Sequence, residues 1–112
     1  MSEIIDLATK LGKAIAESPQ AAALLQSRKA LEGQPELVKL LQDYNQQAQK
    51  IGQLEDQNKV IEVEDKRKLQ ELHEKLVASD VFKKMQMAQM EYIDLMRKVS
   101  MGIHEQLKEI ER

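Results

Sequence analysis

His73 and His104 are the only histidines in the chain, and by type they are the residues best suited to bind a metal or move a proton near neutral pH. A metal site on a helix needs further ligands three or four residues away on the same face, and neither histidine has a carboxylate at those positions. The di-iron motif of helical bundles places Glu three residues before His. Here those places hold Gln70 and Met101. Glu62, Glu64 and Asp65 could form an acid–base pair only in a pocket that separates their pKa values. Three acids at the start of a helix are better explained by the positive end of its dipole. Gly12, Gly33, Gly52 and Gly102 are isolated, so no phosphate-cradling loop exists. The absence of Cys excludes disulfides, thiolate metal sites and a Cys nucleophile. The sequence therefore leads to no catalytic residue, metal or cofactor, and to a protein that is not an enzyme.

Lys66, Arg67 and Lys68, with Lys83 and Lys84, are the basic clusters on which nucleic-acid binding would rest. Binding single strands also needs exposed aromatic rings for stacking, and Tyr44, Phe82 and Tyr92 all fall on apolar helical stripes. No direct nucleic-acid contact is expected. What remains is a row of methionines. On a helix turning about 100° per residue, Met87, Met90, Asp94, Arg97 and Met101 follow one another at steps of three and four. Nearly opposite lies the stripe of Val81, Met85, Ala88, Tyr92 and Leu95, continued by Met96, Val99, Ile103, Leu107 and Ile110. A helix apolar on two sides has one side for the core and one for another surface. Unbranched thioethers suit adaptable contacts, so the Met row is read as an interface with a second copy or with another protein. The uncharged row Gln42, Asn45, Gln46, Gln49 and Gln53 is the next candidate surface.

The elements that must carry these rows are helices. Of the 112 residues, 42% are hydrophobic but only 3% aromatic, and 32% are charged, a composition of amphipathic helices. One all-helical domain over residues 1–112 is expected. Ile4, Leu7, Ala8, Leu11 and Ile15 line a first helix over about residues 2–17. Ser18-Pro19 opens a second, since Ser supplies a capping oxygen and Pro suits the first helical position. Gly33 should end it in the left-handed conformation. Pro35 opens a third through Leu37, Leu41, Tyr44, Ala48 and Ile51, and the chain should turn back near Asn58. Val60, Ile61 and Val63 are too few for a strand and feed a fourth helix carrying Leu69, Leu72 and Leu76. The last helix runs from Asp80 nearly to the end of the chain. The third and fifth helices are the expected antiparallel pair, with the shorter helices around them, and the last one outgrows a compact monomer of this size.

A net charge of −2 creates no field that would gather nucleic acid or anionic lipid. The longest unbroken apolar run, residues 21–25, is far too short to cross a bilayer. The start of the chain lacks the basic and apolar segments of a secretory signal. A cytoplasmic protein is expected.

The chain resembles the bacterial YlbF/YmcA/YheA-like family of small all-helical proteins over nearly its whole length. The resemblance rests on Ile5, Leu7, Ala8, Leu11, Ala14, Ile15 and Ser18, on Pro35 with Leu40 and Leu41, and on Gln89, Met90, Glu91, Asp94, Leu95 and Val99. It implies an antiparallel helical hairpin, self-association into a homodimer or larger homo-oligomer, and no enzymatic activity. It further implies a regulatory adaptor in the control of competence, sporulation or biofilm formation, acting with other family members on an RNA-degrading endonuclease complex. Some members carry Cys residues linked to iron–sulfur clusters, a feature that a sequence without Cys does not share. A prefoldin-like holdase is the alternative function, with an RNA-binding module behind it. The charged reversal at residues 55–59 favours the adaptor, because a holdase offers apolar hairpin tips.

Overall fold

A computed structural model describes residues 2–112. The chain forms α1 (Glu3–Ala16), α2 (Pro19–Glu32), α3 (Pro35–Asp56), α4 (Val63–Val77) and α5 (Asp80–Glu111). The chain is 87% helical, with no strand among the described residues. The boundaries follow local chemistry. Ser2 caps α1, its Oγ accepting from the Ile4 N–H at 3.2 Å. Ser18 works on both sides of the first joint: its hydroxyl donates to the Ile15 carbonyl at 2.6 Å and accepts from the Ala21 N–H at 3.1 Å. Ser79 caps α5 through the Phe82 N–H at 3.2 Å. Glu62 stands at the α4 N-cap without a side-chain hydrogen bond, and Glu64 and Asp65 occupy the first turn, where carboxylates meet the dipole.

Two expectations about helix ends change places. Among the described glycines none has a positive φ; the one residue in that region is Asn58, at φ 55°. Gly33 and Gln34 close α2 with bonds to the Lys29 and Leu31 carbonyls at 3.1 and 3.0 Å. Pro35 already disfavours helical geometry at Gln34, so no left-handed residue is needed there. Asn58 instead terminates α3: its N–H bonds Glu55 O at 3.0 Å, and the Lys59 N–H reaches back to Leu54 O at 2.9 Å. That pair of bonds is the Schellman arrangement, in which Asn is the usual substitute for Gly.

The chain divides into two compact units. One contains α3 and α4 with the adjoining ends of α2 and α5 (residues 29–84); the other contains α1, the rest of α2 and α5 from Met85 onward. In the first, α3 packs against α4, around buried Leu31, Leu37, Leu72, Leu76 and Phe82. Elsewhere α2 packs with α5, where Leu24 and Ala88 are buried. The expected pairing of the third helix with the fifth is thus corrected. Only residues 57–62 separate α3 from α4, and so short a connection makes sequence neighbours into antiparallel partners. The length of α5, 32 residues against 22 in α3, was a weaker guide.

Gln47 pins this hairpin. It is buried at 5% exposure, and its Nε2 donates to the Asp65 carbonyl at 2.9 Å. One turn on, the Lys50 ammonium donates to Asp65 Oδ1 at 2.9 Å. Tyr44 meets His73 across the same pair, with ring centroids 6.2 Å apart and tilted by 41°.

Gly52 lies within α3, and a Cβ built there would meet nothing within 4 Å. Gly52→Ala is therefore expected to raise stability by about 0.5–1 kcal/mol through helix propensity. Denaturant unfolding followed by circular dichroism measures the shift.

Candidate protein-contact surface

The Met row lies along α5 in the unit that also holds α1. Met87, Met90 and Met101 are exposed to 64%, 70% and 59%. From first to last the row covers roughly 21 Å at 1.5 Å per residue. Ala88 on the opposite side is buried, while Met85, Tyr92, Leu95, Met96 and Val99 are half-buried. The two-sided reading of this helix holds as far as Val99. Beyond it the cover of the inner stripe is partial: Ile103 and Ile110 are exposed, while Leu107 stays half-buried.

Between the methionines, Asp94 is an internal ion-pair centre. Its carboxylate accepts from Arg97 Nη2 at 2.6 Å and pairs with Lys98 Nζ at 3.0 Å. The Arg97 hydrogen bond, followed by that from Lys98, holds the Asp94 carboxyl below the ordinary carboxylate range. The charges in the row are thus matched within the helix. An incoming surface meets a local dipole flanked by thioethers rather than an unpaired charge, and leaving a charge unpaired is the costly outcome of burial.

Ile93, exposed to 56%, extends this face and was not selected by sequence reasoning. Its step of three from Met90 and four to Arg97 was the available signal. The exposed residues Ile4, Ile5 and Leu7 of α1 were legible as an apolar face but not as an uncovered one. The second-choice row Gln42, Asn45, Gln46, Gln49 and Gln53 is exposed along α3, and its neighbour Gln47, buried as the hairpin pin, has no distinguishing signal in a Gln-rich stretch.

The other candidate groups are dispersed. His73 lies beside Tyr44 with its ring tilted, and His104 Nδ1 stands 3.8 Å from Glu111 Oε1, two turns along α5. No cluster of three or more metal-ligating side chains is found among the described residues. Glu64 pairs with Arg67 at 3.2 Å, and Asp65 with Lys50, so part of the basic cluster on α4 is offset locally. At the hairpin reversal Val60 and Val63 are 84% and 71% exposed; the tip is apolar as well as charged. No helix among the described residues is long and apolar enough to cross a membrane.

Asp65 offers a direct test of the hairpin's polar pin. The hydrogen bond from Lys50 lowers its pKa, with burial opposing and the Lys50 charge adding to the effect. A carboxylate with a depressed folded-state pKa contributes stability above its unfolded pKa and loses it as pH falls through the folded value. Carboxyl NMR titration should place the Asp65 midpoint below that of an unpaired Asp, and Lys50→Met should raise it toward that value.

These features define a class: an all-helical protein with an exposed apolar row along its last helix. Residues 4–108 match the family model described as control of competence regulator ComK, YlbF/YmcA, and the chain belongs to the YlbF/YmcA family. Comparison with the curated proteins gives no match.

Proposed function

We propose that this chain is a non-catalytic regulatory adaptor that works in the cytoplasm through protein–protein contacts. The observation that carries the reading is the exposed row Met87, Met90 and Met101 around the self-paired Asp94 and Arg97. Apolar contacts supply association energy, and fixed charges among them restrict which partner fits. The family's description as control of competence regulator ComK supports a regulatory role. The partners proposed are a second copy of the chain, other family members and an RNA-degrading endonuclease complex, with competence, sporulation or biofilm formation as the process controlled through RNA turnover. Neither nucleic acid nor membrane is proposed as a direct partner, and no cofactor is required.

The test is crosslinking with mass spectrometry in host cells. Crosslinks from Lys98 or Lys84, beside the row, to another protein are expected. Self-links alone, or substrate turnover by the purified chain that one substitution abolishes, would overturn the adaptor. The exposed Val60 and Val63 at the α3–α4 reversal favour the holdase as a second reading. A holdase would suppress aggregation of an unfolded client, and Val60→Ser with Val63→Ser would remove that suppression.

A further inference from the structure

We propose that Met87, Met90 and Met101 form a reversible oxidation site, at which peroxide turns the exposed face of α5 from apolar to polar. This rests on the reading that the row is the protein's contact face, and it adds a means of withdrawing that contact.

Access decides which sulfurs react. The chain has no Cys, so no thiolate competes for peroxide, and thioethers are its only oxidisable sulfur. Susceptibility of such groups follows their exposure. Met87, Met90 and Met101 are exposed on one side of α5, whereas Met85 and Met96, on the opposite stripe, are half-buried. The fold thus sorts the methionines of one helix into an accessible set and a covered set.

The neighbours differ as well. A long side chain on a helix leans over the turn before it, toward the residue four places earlier. For Met87, Met90 and Met101 that residue is Lys83, Gln86 and Arg97 in turn; for Met85 and Met96 it is the half-buried Val81 and Tyr92. Lys83, Gln86 and Arg97 are exposed and carry hydrogen-bond donors. A sulfoxide oxygen is a polar acceptor, so each oxidised side chain of the row has a donor residue one turn away. Arg97 already serves Asp94 at 2.6 Å, and its guanidinium has further N–H groups to offer. Lys98, three residues before Met101, adds a second cation. The row is where the oxidised product is both reachable and solvated.

In the forward step the sulfur lone pair attacks one oxygen of hydrogen peroxide and the O–O bond breaks. An S=O bond forms, and the departing hydroxide takes the proton of the transferred oxygen to leave as water; the thioether loses two electrons and the peroxide gains them. In the return step, catalysed by methionine sulfoxide reductases, two thiols supply two electrons and two protons, the oxygen leaves as water, and a disulfide forms on the reductant. Sulfoxides along the row replace apolar surface with dipoles that hold water. A contact that buries such a dipole without a hydrogen bond loses about tenfold in affinity for each one. The row faces away from buried Ala88, so the core side of the helix is untouched.

The test treats the purified full chain with limiting hydrogen peroxide and maps the added oxygen by peptide mass spectrometry. Met87, Met90 and Met101 should gain it several-fold faster than Met85 and Met96, with helical circular dichroism retained. Retention on a phenyl column should fall as oxygen is gained, and methionine sulfoxide reductase with a dithiol should restore it. Met87→Leu, Met90→Leu and Met101→Leu together keep the row apolar without its sulfurs, so this variant should hold its retention through the same treatment. Added to host extract, oxidised wild type should lose about nine-tenths of the crosslinks from Lys98 and Lys84 to other proteins, and the peroxide-treated Leu variant should keep them. Equal oxidation of the two sets, loss of helix on oxidation, or a Leu variant that loses retention as wild type does would overturn the site. Selective, reversible oxidation with undiminished crosslinks would overturn its control of contact and leave the adaptor standing. Reduced wild type without crosslinks to other proteins would count against the adaptor, with the oxidation site still decided by mapping and retention.

Discussion

Leu76→Ala is expected to lower the unfolding free energy by about 3–4 kcal/mol, the largest single-residue effect in the chain. Leu76 is 1% exposed and is the most completely enclosed large side chain among the described residues. Its truncation removes buried methyl groups and leaves a cavity between helices that relax only in part; Leu→Ala changes of this kind cost about 2–5 kcal/mol. The other buried residues of this unit, Leu31, Leu37, Leu72 and Phe82, form a small core with few substitutes for a lost contact. Domains of this size hold only about 5–15 kcal/mol in total, so the melting temperature should fall by well over 10 °C. Val60→Ala, at an 84% exposed position, should change stability by less than about 0.5 kcal/mol. Thermal and denaturant unfolding of both variants checks the contrast; equal effects would mean that the α3–α4 core does not govern the transition.

Replacing Met87, Met90 and Met101 together by Glu is expected to weaken capture of the crosslinked partner by more than about 100-fold. Central apolar contacts in interfaces commonly cost more than 1 kcal/mol each when truncated, and every 1.4 kcal/mol is tenfold in affinity. Glutamates would add buried negative charge beside Asp94, whose own charge is already committed to Arg97 and Lys98. The three methionines are exposed, so helicity should stay close to that of wild type. Quantitative pull-down with circular dichroism separates the outcomes: undiminished capture would move recognition to another face, and a large loss of helix would place the row in a core.

Much of this architecture is legible in local chemistry. Ser18 and Ser79 cap where a hydroxyl precedes a helix, the apolar steps of three and four define α1, α3 and α5, and the reversal falls at Asn58 as the polar run of residues 55–59 suggests. The exposed face of α5 was also readable, because Met87, Met90 and Met101 repeat at helical spacing on the side away from Ala88. Such features depend on residues within a turn or two of one another, and their physics is the same whatever the chain packs against.

Helix partnership is different. Residue types and spacing determine that this chain forms five helices with apolar rows, that thiolate chemistry is closed to it, and that α5 is apolar on two sides. Only the tertiary structure decides that α3 packs with α4 and α2 with α5, that Gln47 alone of its Gln-rich stretch is buried, and that Ile4, Ile5 and Leu7 of α1 and Ile103 and Ile110 of α5 stay exposed. An amphipathic pattern records that a face must be buried but carries no address for what buries it. That choice comes from connection lengths together with interactions that exist only once the chain is folded, the Gln47 and Lys50 bonds to Asp65 and the competition among faces of similar hydrophobicity.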